Sequence, residues 1–248
     1  MGLVAVIVTA GMAGESSPPG KNGWERSLSG SFSTQGGNTN LSSYALALTA
    51  DYAGDIRRGG LELSDTEIHL AVNHKRGILN GSLYEEDGSA TFLLDVKAHG
   101  RFSPFFLSFW TYDSTTNLDN RTQLGAGGKY TFGRGFSVSL AYLWESERYR
   151  GRTRTLQYRW SLRPKYKITL SSGVSFITMV FLQPLVTDPG RFLIDSRLNL
   201  ILPTLVRVLG GDNTLNVTMG WREQYNSHPP GGIRKRDSDL NMGLMMTF

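Results

Sequence analysis

The chain has 248 residues, a net charge of +5 and no cysteine, so disulfide frameworks, zinc–thiolate sites and thiol catalysis are excluded. Charged residues make up 19%, below the ~25% usual for soluble domains, while glycine is abundant at 29 residues. The Lys and Arg residues are spread along alternating segments with no recognition-helix, zinc-finger or RNA-binding signature, which argues against a nucleic-acid partner.

The N-terminus carries a short apolar core, Gly2-Leu-Val-Ala-Val-Ile-Val-Thr9, followed by the small residues Ala10-Gly11-Met12-Ala13. Residues 1–13 read as the remnant of a secretory signal peptide cut after Ala13, although no Lys or Arg precedes the core. The rival reading is a first strand or short helix. The segment is too short to span a bilayer as a helix, and no later stretch offers ~20 apolar residues. Residues 14–23 hold turn and linker residues without periodicity.

From Trp24 to the C-terminus the chain is a series of segments with a period of two, the repeat of a strand. Leu28, Gly30, Phe32 and Thr34 oppose serines; Tyr44 to Tyr52 and Ile68 to Val72 alternate in the same way. Phe92, Leu94 and Val96 face away from Thr91, Asp95 and Lys97, whereas Pro104 to Ser114 is apolar on both faces and has no readable phase. Leu124 to Phe132, Phe136 to Trp144 and Leu156 to Leu162 put apolar residues opposite Arg, Gln, Lys, Ser and Glu. Ile168, Leu170, Val174 and Phe176 are read as one segment. Phe192 to Leu202 and Leu215 to Trp221 follow. The chain ends in Leu240, Met242, Leu244, Met246 and Phe248 at every second position.

The sum is about twelve strands, an even number, with ten or fourteen as alternatives. With both termini on the periplasmic side, Gly133-Arg134-Gly135 and Pro164-Lys165-Tyr166 are predicted as minimal inner turns. The outer connections, around 74–88, 114–120, 147–153, 181–190 and 226–237, are predicted to be mostly longer, as outer-membrane barrels require. The inner connections 53–60 and 203–212 break that rule.

The expected fold is all-β: an antiparallel up-and-down transmembrane barrel over residues 24–248, in a bacterial outer membrane. A soluble lipocalin-like barrel would also alternate, with its apolar face inside. The residues that accompany the apolar ones discriminate. Tyr52, Tyr112, Phe132, Phe136, Trp144, Tyr158, Trp221 and Phe248 fall near strand ends, where membrane barrels carry aromatic girdles. The opposite face holds long charged groups, which suits a wall turned inside out. In lipid every backbone polar group must pair, and a closed barrel achieves that without an edge.

Gly23-Trp-Glu-Arg-Ser-Leu-Ser-Gly-Ser-Phe-Ser-Thr-Gln-Gly-Gly-Asn-Thr39, and Asn117-Leu-Asp-Asn-Arg-Thr-Gln-Leu-Gly-Ala-Gly-Gly-Lys-Tyr130, resemble segments of the YdiY-like family, the salt-induced outer-membrane proteins. The resemblance covers about residues 23–248. It implies an outer-membrane barrel linked to salt or osmotic stress, with no catalytic residues to transfer. It also implies that Phe248 contributes to recognition by the barrel-assembly machinery.

Three sets of residues remain as candidates for chemistry. Gly36-Gly37-Asn38-Thr39 reads as a hairpin turn, because a phosphate loop would need a following helix. The inward parity set is Arg121, Lys129, Glu145, Arg159, Arg163, Asp195, Arg197 and Arg222, with Glu67 and Asp95. It lines either a small pore for solutes or an interior plugged by its own salt bridges. Arg148, Arg150, Arg152, Arg154, Arg234, Lys235 and Arg236 fall in outer loops, where Arg forks match the phosphates of lipopolysaccharide. A lipid-modifying enzyme would need a His–Ser pair on the lipid-facing wall near the outer rim. His74 has the right parity but no evident orienting partner. No cofactor or metal site is expected. His69 and His74 point opposite ways, and Glu85-Glu86-Asp87 is read as an acidic loop that offers at most a weak site for a divalent cation and is more often just solvated.

Overall fold

The computed structural model describes residues 23–35, 41–207, 214–229 and 234–247. The leader 1–13, the linker 14–22, the Gly36–Thr39 turn and Phe248 lie outside the described residues. The described residues form twelve strands: β1 Gly23–Gln35, β2 Leu41–Arg58, β3 Leu61–Leu79, β4 Ser82–Asp95, β5 Phe102–Asp113 and β6 Leu118–Gly133. They continue as β7 Phe136–Tyr149, β8 Thr155–Thr169, β9 Ser175–Pro184, β10 Phe192–Arg207, β11 Thr214–Asn226 and β12 Arg236–Thr247. Each strand pairs antiparallel with its chain neighbours, and β12 closes onto β1 to complete a barrel. That seam is short. Ser27–Thr247, Leu28–Met246 and Ser29–Met245 pair across it, while β1 runs its whole length against β2.

The two faces sort as an inside-out wall. Leu46, Leu48, Val72, Leu140, Trp160 and Leu162 are exposed on the outside. Their chain neighbours Ala47, Ala71, Ala141, Arg159, Ser161 and Arg163 are buried. Apolar residues on the outside cost free energy in water, about 25 cal/mol per Å². Aromatic pairs stand near both ends of the wall. Trp24–Tyr52 and Phe132–Phe136 mark the end where β1 begins and β12 finishes. Trp110–Tyr112 and Phe192–Tyr225 mark the opposite, loop end.

The segment without a readable phase is resolved as β5. Phe102, Phe106 and Trp110 face out, while Ser103, Phe105 and Leu107 are buried inside. Both faces are apolar because the barrel interior here is itself an apolar cluster of Phe105, Leu107, Ala141 and Leu143, flanked by Leu93 and Phe109.

Three boundaries read from the sequence are corrected. Pro164–Tyr166 is not a turn but part of the β8 wall, where Pro164 pairs with Val138. A proline has no N–H for the ladder, and here the β8–β9 pairing lapses after Leu162–Leu182 and resumes in register at Lys165–Met179. The turn falls at residues 170–174, closed by the Leu170 N–H to the Val174 carbonyl at 2.9 Å, with Gly173 at positive φ. Ile168 and Phe176 therefore belong to different strands.

The connection around 74–88 is not long. β3 and β4 stay paired to Leu79–Ser82, across Asn80 and Gly81, both at positive φ. Asn-Gly suits a two-residue type I′ turn, whose twist matches its strands. Likewise 53–60 is short: β2 runs to Arg58 and turns at Gly59 and Gly60.

The β2–β3 hairpin extends past the Trp24–Tyr52 pair and is anchored there. Asp65 accepts hydrogen bonds from the His99 backbone N–H (2.9 Å) and bonds its ring Nδ1 (2.6 Å), and its carbonyl accepts from the Ala98 N–H. Partial burial pushes the Asp65 carboxyl up, but the His99 contacts outweigh it and hold it below its ordinary value. A depressed carboxyl stabilises above its unfolded pKa and loses that contribution as pH falls through the folded value. Hydrogen-exchange protection of the Ala98 and His99 amides should thus decline below about pH 4. Asp65→Asn should lower it at neutral pH; unchanged exchange in that variant would contradict the anchoring role.

Candidate functional site

Register places the charged interior. Gln123 pairs with Glu145, and Glu145 with Gln157, so one row across β6, β7 and β8 surrounds a single carboxylate. Glu145 has no solvent exposure. It accepts from Arg159 Nε at 2.8 Å and from the amides of Gln123 and Gln157, and Arg121 Nε lies 3.9 Å away. Arg121 is held by Glu147 at 2.8 Å and by the Tyr149 hydroxyl at 3.1 Å. Arg159 also donates to the Gln183 carbonyl at 3.1 Å, which ties β8 to β9 across the interior.

A second knot joins β10 and β11. Arg197 and Arg222 are direct cross-strand partners, a like-charge arrangement that alone would repel. Asp195 bridges them, each guanidinium 2.6 Å from its Oδ2. Elsewhere Lys129 pairs with Asp95 at 2.6 Å, and His69 with Asp51 at 2.6 Å.

Arg163 differs. It lies over the rings of Phe105 (4.9 Å) and Phe181 (5.4 Å), and its Nε donates to the Ser161 hydroxyl at 3.2 Å. Its Nη2 is buried without a hydrogen-bond partner. Aromatic faces attract a guanidinium but do not replace a lost hydrogen bond. Arg163→Met keeps the apolar stem and removes the orphan. It should leave the barrel as stable or up to about 2 kcal/mol more stable, as buried charges replaced by apolar groups do. A clear loss in urea titrations of the folded protein would show that the cation is needed.

All eight inward candidates therefore face the interior, most of them in ion pairs. The alternation also puts Gln123 and Gln157 on this face without marking them as partners, and it does not mark Glu147, Tyr149 or Gln183. Inward parity on neighbouring strands was the signal that could have found them. The loop set divides. Arg148 and Arg150 share Asp119 at 3.2 and 3.9 Å, and Arg236 pairs with Glu223 at 2.8 Å. Arg152, Arg154, Arg234 and Lys235 are exposed, and Arg152 also lines a cavity. His74 is held by the Tyr112 hydroxyl at 2.7 Å and lies 3.4 Å from that of Tyr44, as one member of an aromatic row on the wall.

The cavity lies at the loop end, with a volume of about 300 Å³. Arg121, Arg159 and Glu147 line its deep side; Arg152, Arg191 and His228 come from the loops. Its rim is tied together. The Ser227 hydroxyl accepts from the Phe192 N–H at 2.8 Å and donates to the Gly190 carbonyl at 3.1 Å. The Val186 N–H donates to the Tyr158 carbonyl at 3.0 Å.

The class defined by this geometry is a closed twelve-strand antiparallel β-barrel with a charged, largely self-paired interior. The chain belongs to the family described as "Protein of unknown function, DUF481", which matches residues 29–248. That family is of the YdiY-like type to which the sequence segments pointed. No curated protein matches the chain.

Proposed function

We propose that this protein is a bacterial outer-membrane barrel that serves the envelope as a closed structural element under osmotic or salt stress, rather than as a wide pore. What supports the closed state is the burial of Glu145, Ser161, Leu107 and Leu143, none of which has more than trace exposure although all four face the barrel interior. A water-filled lumen would wet them. What supports the membrane is the apolar outer wall between aromatic ends. Outer-membrane lipid, lipopolysaccharide and, during insertion, the assembly machinery are its proposed partners. The salt-stress role rests on the family resemblance and predicts slower growth of a deletion strain in high salt.

The interior ion pairs would act as the plug. Buried pairs are screened far less by salt than exposed ones, so they hold where surface bridges weaken. Purified protein inserted in planar bilayers should leave the baseline current unchanged. Steady ohmic conductance from most insertions would sink the closed reading and leave the pore. Fractionation of cells should recover the folded chain with outer membranes, and recovery in the soluble fraction would contradict the location.

A further inference from the structure

We propose that the loop-end cavity is a binding site for a phosphate monoester, with Arg152 and Arg191 as its anion-binding residues. The cavity wall carries four arginines against one glutamate. Two of the four are already neutralised: Arg121 by Glu147 at 2.8 Å, and Arg159 by Glu145 at 2.8 Å behind the wall. Arg152 and Arg191 have no acidic partner among the described residues, although both come from loops whose backbones are fixed. The Arg152 N–H donates to the Tyr149 carbonyl at 3.0 Å, and the Arg191 N–H to the Asp188 carbonyl at 3.0 Å. Two uncompensated cations over a cavity match a dianion, and a phosphate monoester carries about −1.5 to −2 at neutral pH. A carboxylate would leave half of that charge unmet.

The remaining wall suits what is attached to the phosphate. The Tyr149 oxygen accepts from Arg121 Nη2 at 3.1 Å, which leaves its own proton to donate into the cavity. Thr153, Asn226 and His228 add polar groups, and Phe192 gives an apolar wall. This is the donor set for a hydroxylated body such as a sugar or polyol. The volume, about 300 Å³, holds one small molecule or one headgroup. The same chemistry is available from a free sugar phosphate and from a lipid-borne phosphate, and the site requires neither the pore nor the closed reading of the barrel.

The test is calorimetry on the full-length protein folded in detergent micelles at low ionic strength. The probes are glucose 6-phosphate and micelle-embedded phosphatidic acid, with gluconate and glucose as controls. At least one phosphate probe should bind saturably, and R152Q/R191Q should weaken it at least about tenfold, as loss of charge-assisted forks does. R236Q, whose guanidinium pairs with Glu223 outside the cavity, should change nothing. Binding of glucose 6-phosphate assigns a free solute; binding of phosphatidic acid alone assigns a lipid headgroup. Silence from both probes, equal binding of gluconate, or undiminished binding in R152Q/R191Q with a normally folded barrel would each overturn the proposal.

Discussion

Glu145→Leu should cost the barrel about 3–5 kcal/mol, the penalty for leaving a buried charge without its partner. Arg159 is 5% exposed and has Glu145 as its one acidic contact among the described residues, so removal of the carboxylate strands a guanidinium in the interior. The amides of Gln123 and Gln157 lose an acceptor in the same step. Arg121 is less affected, because Glu147 still holds it at 2.8 Å. The measurement is urea-driven unfolding of the folded protein, followed by tryptophan fluorescence.

Glu145→Leu combined with Arg159→Met should recover most of the loss, since a buried pair replaced by apolar residues of similar size is often neutral or better. That recovery separates coupling between the two from simple loss of packing. If the single variant unfolds within about 1 kcal/mol of the parent, the carboxylate is not the centre of the network. If the double variant is worse than the single, the guanidinium stabilises through its bond to the Gln183 carbonyl rather than through Glu145.

Glu145 was legible as an inward charge from its parity beside Trp144, but not as a hub. Its ligands come from positions 123, 157 and 159, and the link onward to Gln183 spans 60 residues from Gln123. Only register brings these together, and register depends on turn lengths that hydrophobic alternation does not encode. The same blindness moved the β8–β9 turn. Pro164 looked like punctuation, yet it sits where the ladder to β9 lapses.

The β2–β3 and β3–β4 extensions were missed for a related reason. Beyond the apolar belt charged residues such as Arg57, Arg58, Lys75 and Arg76 interrupt the apolar ones, so the alternation fades while the pairing continues to Gly59–Gly60 and Asn80–Gly81. Those two dipeptides were the readable signal. The cavity arginines were divided between elements: Arg152 stood among the loop cations, whereas Arg191 and His228 reach it only through the folded loops. The apolar knot inside the barrel had no sequence counterpart. An expectation of a polar interior left Phe105 and Leu107 without a side.

That knot explains the second large effect. Gly127→Val should prevent assembly of the barrel or destabilise it by about 3 kcal/mol or more, beyond ordinary overpacking. A Cβ at Gly127 would sit 2.1 Å from the Leu140 carbonyl oxygen and 2.7 Å from the Ala141 Cα, both backbone atoms of the paired strand. No rotamer change relieves a clash with backbone, so β6 and β7 would have to separate. Gly125, two residues earlier on the same face, gives room to the Leu143 and Leu107 side chains, whose atoms would lie 2.3 and 3.6 Å from an added Cβ. The glycines of β6 are thus the floor on which the interior cluster rests, and they let the wall curve at that point. Heat-modifiable gel mobility reads the outcome directly: Gly127→Val should run as the unfolded species in unheated samples, while Gly23→Ala, with nothing within 4 Å of the added atom, should run folded. A folded Gly127→Val barrel would mean that β6 and β7 are less closely apposed than their register implies.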